Sequence, residues 1–134
     1  MNIGTAASES GVTAKTIRYY ESIGLIPLAT RAENGYRNYT EFDVETLRFI
    51  QHSRRLGFSV KDVGNLLELW GDKERSSADV KALALEHISE VERRIKELET
   101  IRRTLMDLTD RCHGDDRPEC PILDDLATGP EAPE

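Results

Sequence analysis

Two cysteines, Cys112 and Cys120, stand near the C-terminal end of this 134-residue chain, which has no others. Between them runs His113-Gly114-Asp115-Asp116-Arg117-Pro118-Glu119. Seven intervening residues with Gly and Pro among them let two thiols meet across a loop. Pro121 suits the first position of a helix, which puts Cys120 at that helix's positive end and favours the thiolate. In a reducing compartment such thiols point to metal binding or redox sensing rather than to a structural disulfide. Zinc normally takes four ligands, usually Cys and His, and here only two sulfurs are local. Two soft thiolates suit a closed-shell monovalent ion that accepts linear coordination, such as Cu(I), with Ag(I) and Au(I) as chemical equivalents. His113 adjoins the first thiol. Its imidazole can ligate copper, although a solvated loop histidine is the plainer reading. Asp115, Asp116 and Glu119 are hard ligands that do not account for the flanking sulfurs. They read as solvated. A regulatory disulfide between Cys112 and Cys120 stays open as the second reading.

A different chemistry gathers near the N-terminus. Lys15, Arg18 and Tyr19 fall at i, i+3 and i+4 and can share one helix face. Charge for phosphates and a flat hydroxyl-bearing ring are what groove and backbone contact with DNA requires. A merely solvated face fits these three residues equally well. Ile17, off that face, and Val12 can turn inward. The next segment changes the balance. Arg31, Asn34, Tyr36, Arg37 and Tyr39 cluster about Asn34-Gly35, a strong hairpin signal because both residues tolerate positive φ. Such a tip is poor core material and suits gripping a phosphate backbone. Arg54 and Arg55 could add phosphate contacts, whereas Arg48 reads as solvated. His52 and His87 stand alone and receive no role.

The elements that must hold these groups are marked by local signals. A short helix is expected over about Asn2 to Ser8, with Ser10-Gly11-Val12 as a turn. Thr13 then caps a second helix to about Ile23. Thr40, Ser59 and Ser76 are each followed three residues later by Asp, the pattern of a capping box. Helices are expected over 41–56 and 60–70, with Gly24, Gly57 and Gly71 as left-handed stops. From about Ser77 a long helix begins. Ala84, Ile88, Val91, Ile95, Leu98, Ile101, Leu105 and Leu108 recur at steps of three and four, close to a heptad seam. The rest of the chain is too small to cover such a rod. A second copy, packed antiparallel, is the simplest partner, and folding back on its own domain is the alternative.

Composition bounds the class. Charged residues make up 32% and aromatics 6%, which favours helices with solvated faces. Net charge is −7, yet residues 1–61 carry eight Lys/Arg against six Asp/Glu. The acidity lies in residues 62–134, so overall charge does not exclude DNA. No stretch suits a membrane span and the start has no secretory signal, so the expected location is cytoplasmic. No phosphate loop, nucleophile triad or carboxylate pair suggests an enzyme.

The run Thr16-Ile17-Arg18-Tyr19-Tyr20-Glu21, then Gly24-Leu25-Ile26, then Arg31 through Tyr39, then Leu56-Gly57-Phe58 resembles the MerR family of bacterial transcription regulators. The resemblance spans nearly the whole chain. It implies a mainly α fold: a winged helix-turn-helix over 1–71, a linker and antiparallel coiled-coil dimerisation helix over 72–111, a metal-sensing loop and short helix over 112–127, and a disordered tail over 128–134. Gly24-Leu25-Ile26 would be a short strand. Lys15, Thr16, Arg18 and Tyr19 would lie on the recognition helix, with Tyr20 at an aromatic position of the motif that either contacts DNA or is partly core. Arg31, Asn34, Tyr36, Arg37 and Tyr39 would supply wing contacts, and Arg54 would touch backbone. A homodimer would sit on double-stranded promoter DNA and remodel its shape for RNA polymerase.

The Cys-x7-Cys loop resembles the copper-responsive, CueR-type branch, in which both cysteines ligate the metal. Copper efflux or detoxification genes are the targets this implies. Divalent-sensing relatives carry a further cysteine near the start of the dimer helix, contributed by the partner subunit. The matching residue here is Ser77, which argues against Zn²⁺, Hg²⁺ or Pb²⁺. Lys81 also matches and could balance a negative bis-thiolate. His113 departs from the proline usual in that branch.

Overall fold

A computed structural model describes residues 1–31, 35–112, 114–115 and 118–129. Asn34 and His113 lie outside the described residues, as do positions 130–134 of the expected tail. The described chain is mainly helical. Its order is α1 (Ile3–Ser10), α2 (Ala14–Ser22), β1 (Thr30–Arg31), β2 (Arg37–Asn38), α3 (Glu41–Arg55), α4 (Val60–Gly71), α5 (Ser77–Arg111) and α6 (Pro121–Thr128). Two compact units result, Met1–Val80 and Lys81–Glu134.

The caps expected at Thr13, Thr40 and Ser59 form in the first unit, and Asn2 adds one that was not expected. Asn2, Thr13, Thr40 and Ser59 each accept from the amide three residues on, which satisfies one orphan donor per helix. At Thr40 the bond is reciprocal, because Asp43 also accepts from the Thr40 amide at 2.8 Å. Ser76 serves α5 in the same way, accepting from Asp79 N–H.

Two helices end in a Schellman motif. After α2, Gly24 (φ 77°) donates to Glu21 O and Leu25 to Tyr20 O. After α3, Gly57 (φ 87°) donates to Arg54 O and Phe58 to Ser53 O. Only glycine adopts that backbone cheaply. This geometry corrects one expectation: Gly24-Leu25-Ile26 is not a strand. The amides of Leu25 and Ile26 both turn back to Tyr20 O, so the segment closes α2 rather than pairing with a neighbour. Gly71 is a second correction. It is the last residue of α4 rather than a left-handed stop, and extended Asp72 caps the helix.

The core of this unit is made by periodicity. α1 packs on α2 and α3, and α3 packs on α4. Ala6, Ile17, Val44, Leu47, Ile50 and Val63 are buried where those faces meet. β1 and β2 pair antiparallel, Thr30 with Asn38 and Arg31 with Arg37, and form the hairpin wing. Residue 1 joins its base, since Tyr39 N–H donates to Met1 O at 2.7 Å.

The second unit contains most of α5. At 35 residues this helix is about 52 Å long, from 1.5 Å per residue. Ile88, Val91, Ile95, Leu98, Ile101 and Leu105 are 39–63% exposed in the single chain. Leu108 alone is buried, at 2%. It borders a hollow lined by Thr100, Asp107 and Arg111 of α5 and Asp125 of α6. No described helix is long and apolar enough to cross a membrane.

Leu47 is 1% exposed, so its truncation leaves a hole that helices cannot close. At fixed protein concentration, Leu47→Ala is expected to lower the unfolding free energy by about 2–5 kcal/mol, read by urea denaturation followed by circular dichroism.

Candidate nucleic-acid interface and thiol loop

The exposed face of α2 presents Lys15, Arg18 and Tyr19, while Ile17 and Tyr20 turn inward and are buried. Thr16 is occupied locally: its amide donates to the Thr13 hydroxyl, and the two hydroxyls lie 2.9 Å apart. Beside α2 stands the wing. The two elements enclose a cleft of about 420 Å³, lined by Asn2, Ile3, Arg18, Arg31, Gly35, Tyr36 and Arg37. Three guanidiniums and no carboxylate line it, which makes it a site for anionic oxygen. The fold therefore brings together Arg18, Arg31, Tyr36 and Arg37 from two separate sequence clusters.

Each arginine of the wing is braced. Arg31 donates from Nη1 to Gly35 O at 2.7 Å, across the hairpin tip. Arg37 pairs through Nε with Glu21 Oε1 at 3.4 Å. Tyr36 is exposed, as a surface contact requires. Tyr39 is not: it is 3% exposed, and its hydroxyl donates to Glu21 Oε1 at 3.1 Å. Tyr20 is likewise inside the unit. Of these two tyrosines, offered by the sequence as DNA contacts, neither is exposed. Arg54 is exposed but tied to the turn after α3, donating from Nη1 to Phe58 O at 2.6 Å.

Glu21 is the residue that the sequence reading passed over. Its side chain is about fully enclosed, at 1% exposed, and it accepts from three segments. Ala29 N–H donates to Oε2 at 3.0 Å, and Tyr39 and Arg37 meet Oε1. A signal was present, because Glu21 lies four residues after Ile17 on the face that turns inward.

In the second unit Cys112 directly follows α5, and its amide donates to Thr109 O at 3.2 Å. Cys120 is the N-cap of α6, with Pro121 at the first turn. Both thiols are free and half-buried. Cys120 O accepts from Asp124 N–H at 3.0 Å, the first bond of α6. Gly114 takes φ 65°. Among the described residues no three of His, Cys, Asp and Glu gather closely enough to hold a metal ion. Ser77 opens α5 and Lys81 lies one turn further along, both exposed.

Two family models match the chain: MerR HTH family regulatory protein over residues 1–70, and MerR, DNA binding over residues 44–108. The chain belongs to the MerR family. MerR-family proteins are transcription regulators rather than enzymes. Heavy metal-dependent transcription regulator 2 of Rhizobium meliloti is 56% identical, over 96% of this chain and 88% of the relative. The HTH-type transcriptional regulator CueR of Salmonella typhimurium is 43% identical, over 95% of this chain and 92% of the relative. Among solved structures, a transcription regulator from Ralstonia metallidurans in complex with lead(II) superposes with a TM-score of 0.79 at 35% identity. That likeness covers 94% of this chain and 98% of the other. The winged helix-turn-helix followed by a long helix is thus the fold of this MerR-family chain.

The wing support has a pH signature. The Tyr39 hydroxyl is pushed up to about 12 from the ordinary 10.0, first by burial, then by the Glu21 charge and hydrogen bond, against the pull of Arg37 and Arg18. The folded state therefore keeps a proton that the unfolded chain releases near 10. That stabilisation is complete below pH 10 and is lost as pH climbs toward 12. Tyrosinate absorbance should show one tyrosine ionising late, near 12, in the native protein, and that step should be missing in Tyr39→Phe.

Proposed function

We propose that this chain is a monovalent-metal sensor of the Cu(I) type that works as a homodimer on promoter DNA in the cytoplasm. The observation that carries the reading is a pair of half-buried free thiols, Cys112 and Cys120, bracketing the turn between α5 and α6 of a MerR-family chain. Two thiolates offer a soft, low-coordinate ligand set, which fits Cu(I), Ag(I) or Au(I) better than zinc. When bound, the ion supplies a link between the end of α5 and the start of α6. The half-burial of both thiols limits competing water. Serine rather than cysteine at position 77, and Lys81 beside it, support a monovalent ion through the resemblance to the CueR-type branch. His113 stands beside the ligand pair in sequence and is proposed only as a neighbour of the site.

The dimer reading rests on α5. Six large apolar side chains at near-heptad spacing are left substantially exposed, and a second copy would bury them. DNA binding is assigned to Lys15, Arg18 and Tyr19 on α2, with Arg31, Tyr36 and Arg37 gripping phosphates from the wing. Thr16 on α2 and Arg54 on α3 keep their assignment as DNA contacts from sequence, while buried Tyr20 and Tyr39 lie within the unit. Asn34, outside the described residues, keeps its assignment as a wing contact from sequence. Control of RNA polymerase through promoter shape, at copper efflux or detoxification genes, follows the family resemblance.

Anaerobic competition of Cu(I) and Zn²⁺ for the purified dimer, against chelators, tests the sensor. Tight and preferential Cu(I) uptake is expected, lost in Cys112→Ser and in Cys120→Ser, with DNA binding largely unchanged in both variants. Preference for Zn²⁺, or a response to oxidant without metal, would replace this reading with another effector or with thiol redox. For the reader domain, Arg18→Ala should weaken binding to the cognate duplex by about 1–3 kcal/mol, with and without metal. An unchanged titration would remove Arg18 from the interface.

A further inference from the structure

Among the described residues Glu21 is the one charged side chain in the buried set. It sits on α2, three residues after Arg18, and it holds Arg37 on β2. Arg18 and Arg37 line the same basic cleft. One carboxylate therefore ties the helix wall of that cleft to its wing wall. Its other partners fix the two ends of the connection. Ala29 N–H lies just before β1, and the Tyr39 hydroxyl just after β2.

We propose that Glu21 is a positioning residue for DNA binding: it sets the wing against α2 and aims Arg37 into the cleft. The inference rests on the DNA-binding reading of that cleft. An ionised carboxylate is an acceptor only, with two oxygens and several lone pairs. Three donors from three segments converge on it, which no neutral side chain of the same length can receive. Glutamine keeps the shape but replaces one acceptor with an NH2 donor. That NH2 would face either Ala29 N–H or the Tyr39 and Arg37 donors. A donor left unanswered in a buried place is costly, so the wing would shift to relieve it. Arg37 would then lose its tether and its place opposite Arg18.

The probe is a duplex enriched by the wild-type protein from a random-sequence pool. Its binding is measured by fluorescence anisotropy across a salt series, with full-length protein. Glu21→Gln is expected to weaken binding about tenfold and to flatten the salt slope by about one, the signature of one lost phosphate contact. Arg37→Ala should do the same. The double variant should bind within about twofold of Arg37→Ala alone, because the two changes remove one coupled contact. A loss of general stability would not alter the salt slope. Should Glu21→Gln fail to fold, Tyr39→Phe takes its place, removing one partner of Oε1 and leaving the charge paired. It is expected to weaken binding in the wild-type background and to have no added effect beside Arg37→Ala. Binding within about twofold of wild type for Glu21→Gln, or losses that multiply in the double variant, overturns the inference. Failure of the wild-type protein to enrich any duplex overturns the DNA-binding reading and this inference with it.

Discussion

A carboxylate removed from water must be answered by donors, and at Glu21 the donors come from residues 29, 37 and 39. This condition shapes the first unit. The wing has only two residues per strand, too little for independent stability as an isolated hairpin. What it lacks in pairing is supplied at its base, where Tyr39 is buried and its hydroxyl turned to Glu21. The Schellman turn at Gly24 completes the arrangement. It reverses the chain directly after Glu21, so that Ala29 returns within reach of the same carboxylate. A basic cleft between a helix and a small hairpin thus depends on one acid behind it.

The second unit obeys an opposite constraint. Its long helix has little to bury against within its own chain. Only Leu108, near the α6 turn, is enclosed. Surface ion pairs such as Arg94 with Glu90 and Arg111 with Asp107 decorate α5, but exposed pairs of this kind add little stability. Helix length is therefore maintained by the apolar stripe and whatever covers it. In the proposed dimer, stability would depend on protein concentration, so folding of this half and association would become one equilibrium.

The caps and helix ends were legible because they are local. Thr13, Thr40 and Ser59 state their role within three residues, and Gly24 and Gly57 within two. The long helix α5 was legible because its apolar period is regular and no Gly or Pro interrupts it. The strand expected at Gly24-Leu25-Ile26 was not there, since an apolar run beside a glycine reads alike for a strand and for a helix-closing turn. Gly71 failed for a similar reason: a glycine can end a helix without leaving it. Tyr39 was beyond local reading, and the partners of Glu21 were too, although its spacing from Ile17 marked it as facing inward. An Arg- and Tyr-rich hairpin looks wholly exposed until one knows that an acid eight and more residues earlier lies beneath it. Cys112 and Cys120 stood out by their spacing, whereas the half-burial of both residues shows only in the fold.

Charge placement gives the two halves different relations to a polyanion. Residues 62–134 carry nineteen acids against ten basic residues, so DNA is repelled from most of their surface. Residues 1–61 hold a slight basic excess, and the three arginines of the cleft concentrate it on one face. An excess of two charges spread evenly would attract a duplex weakly. Gathered on a groove without acids, it defines one approach. Glu21 offsets part of that excess: it pairs with Arg37 behind the cleft, which leaves Arg18 and Arg31 as the net positive charges of the groove.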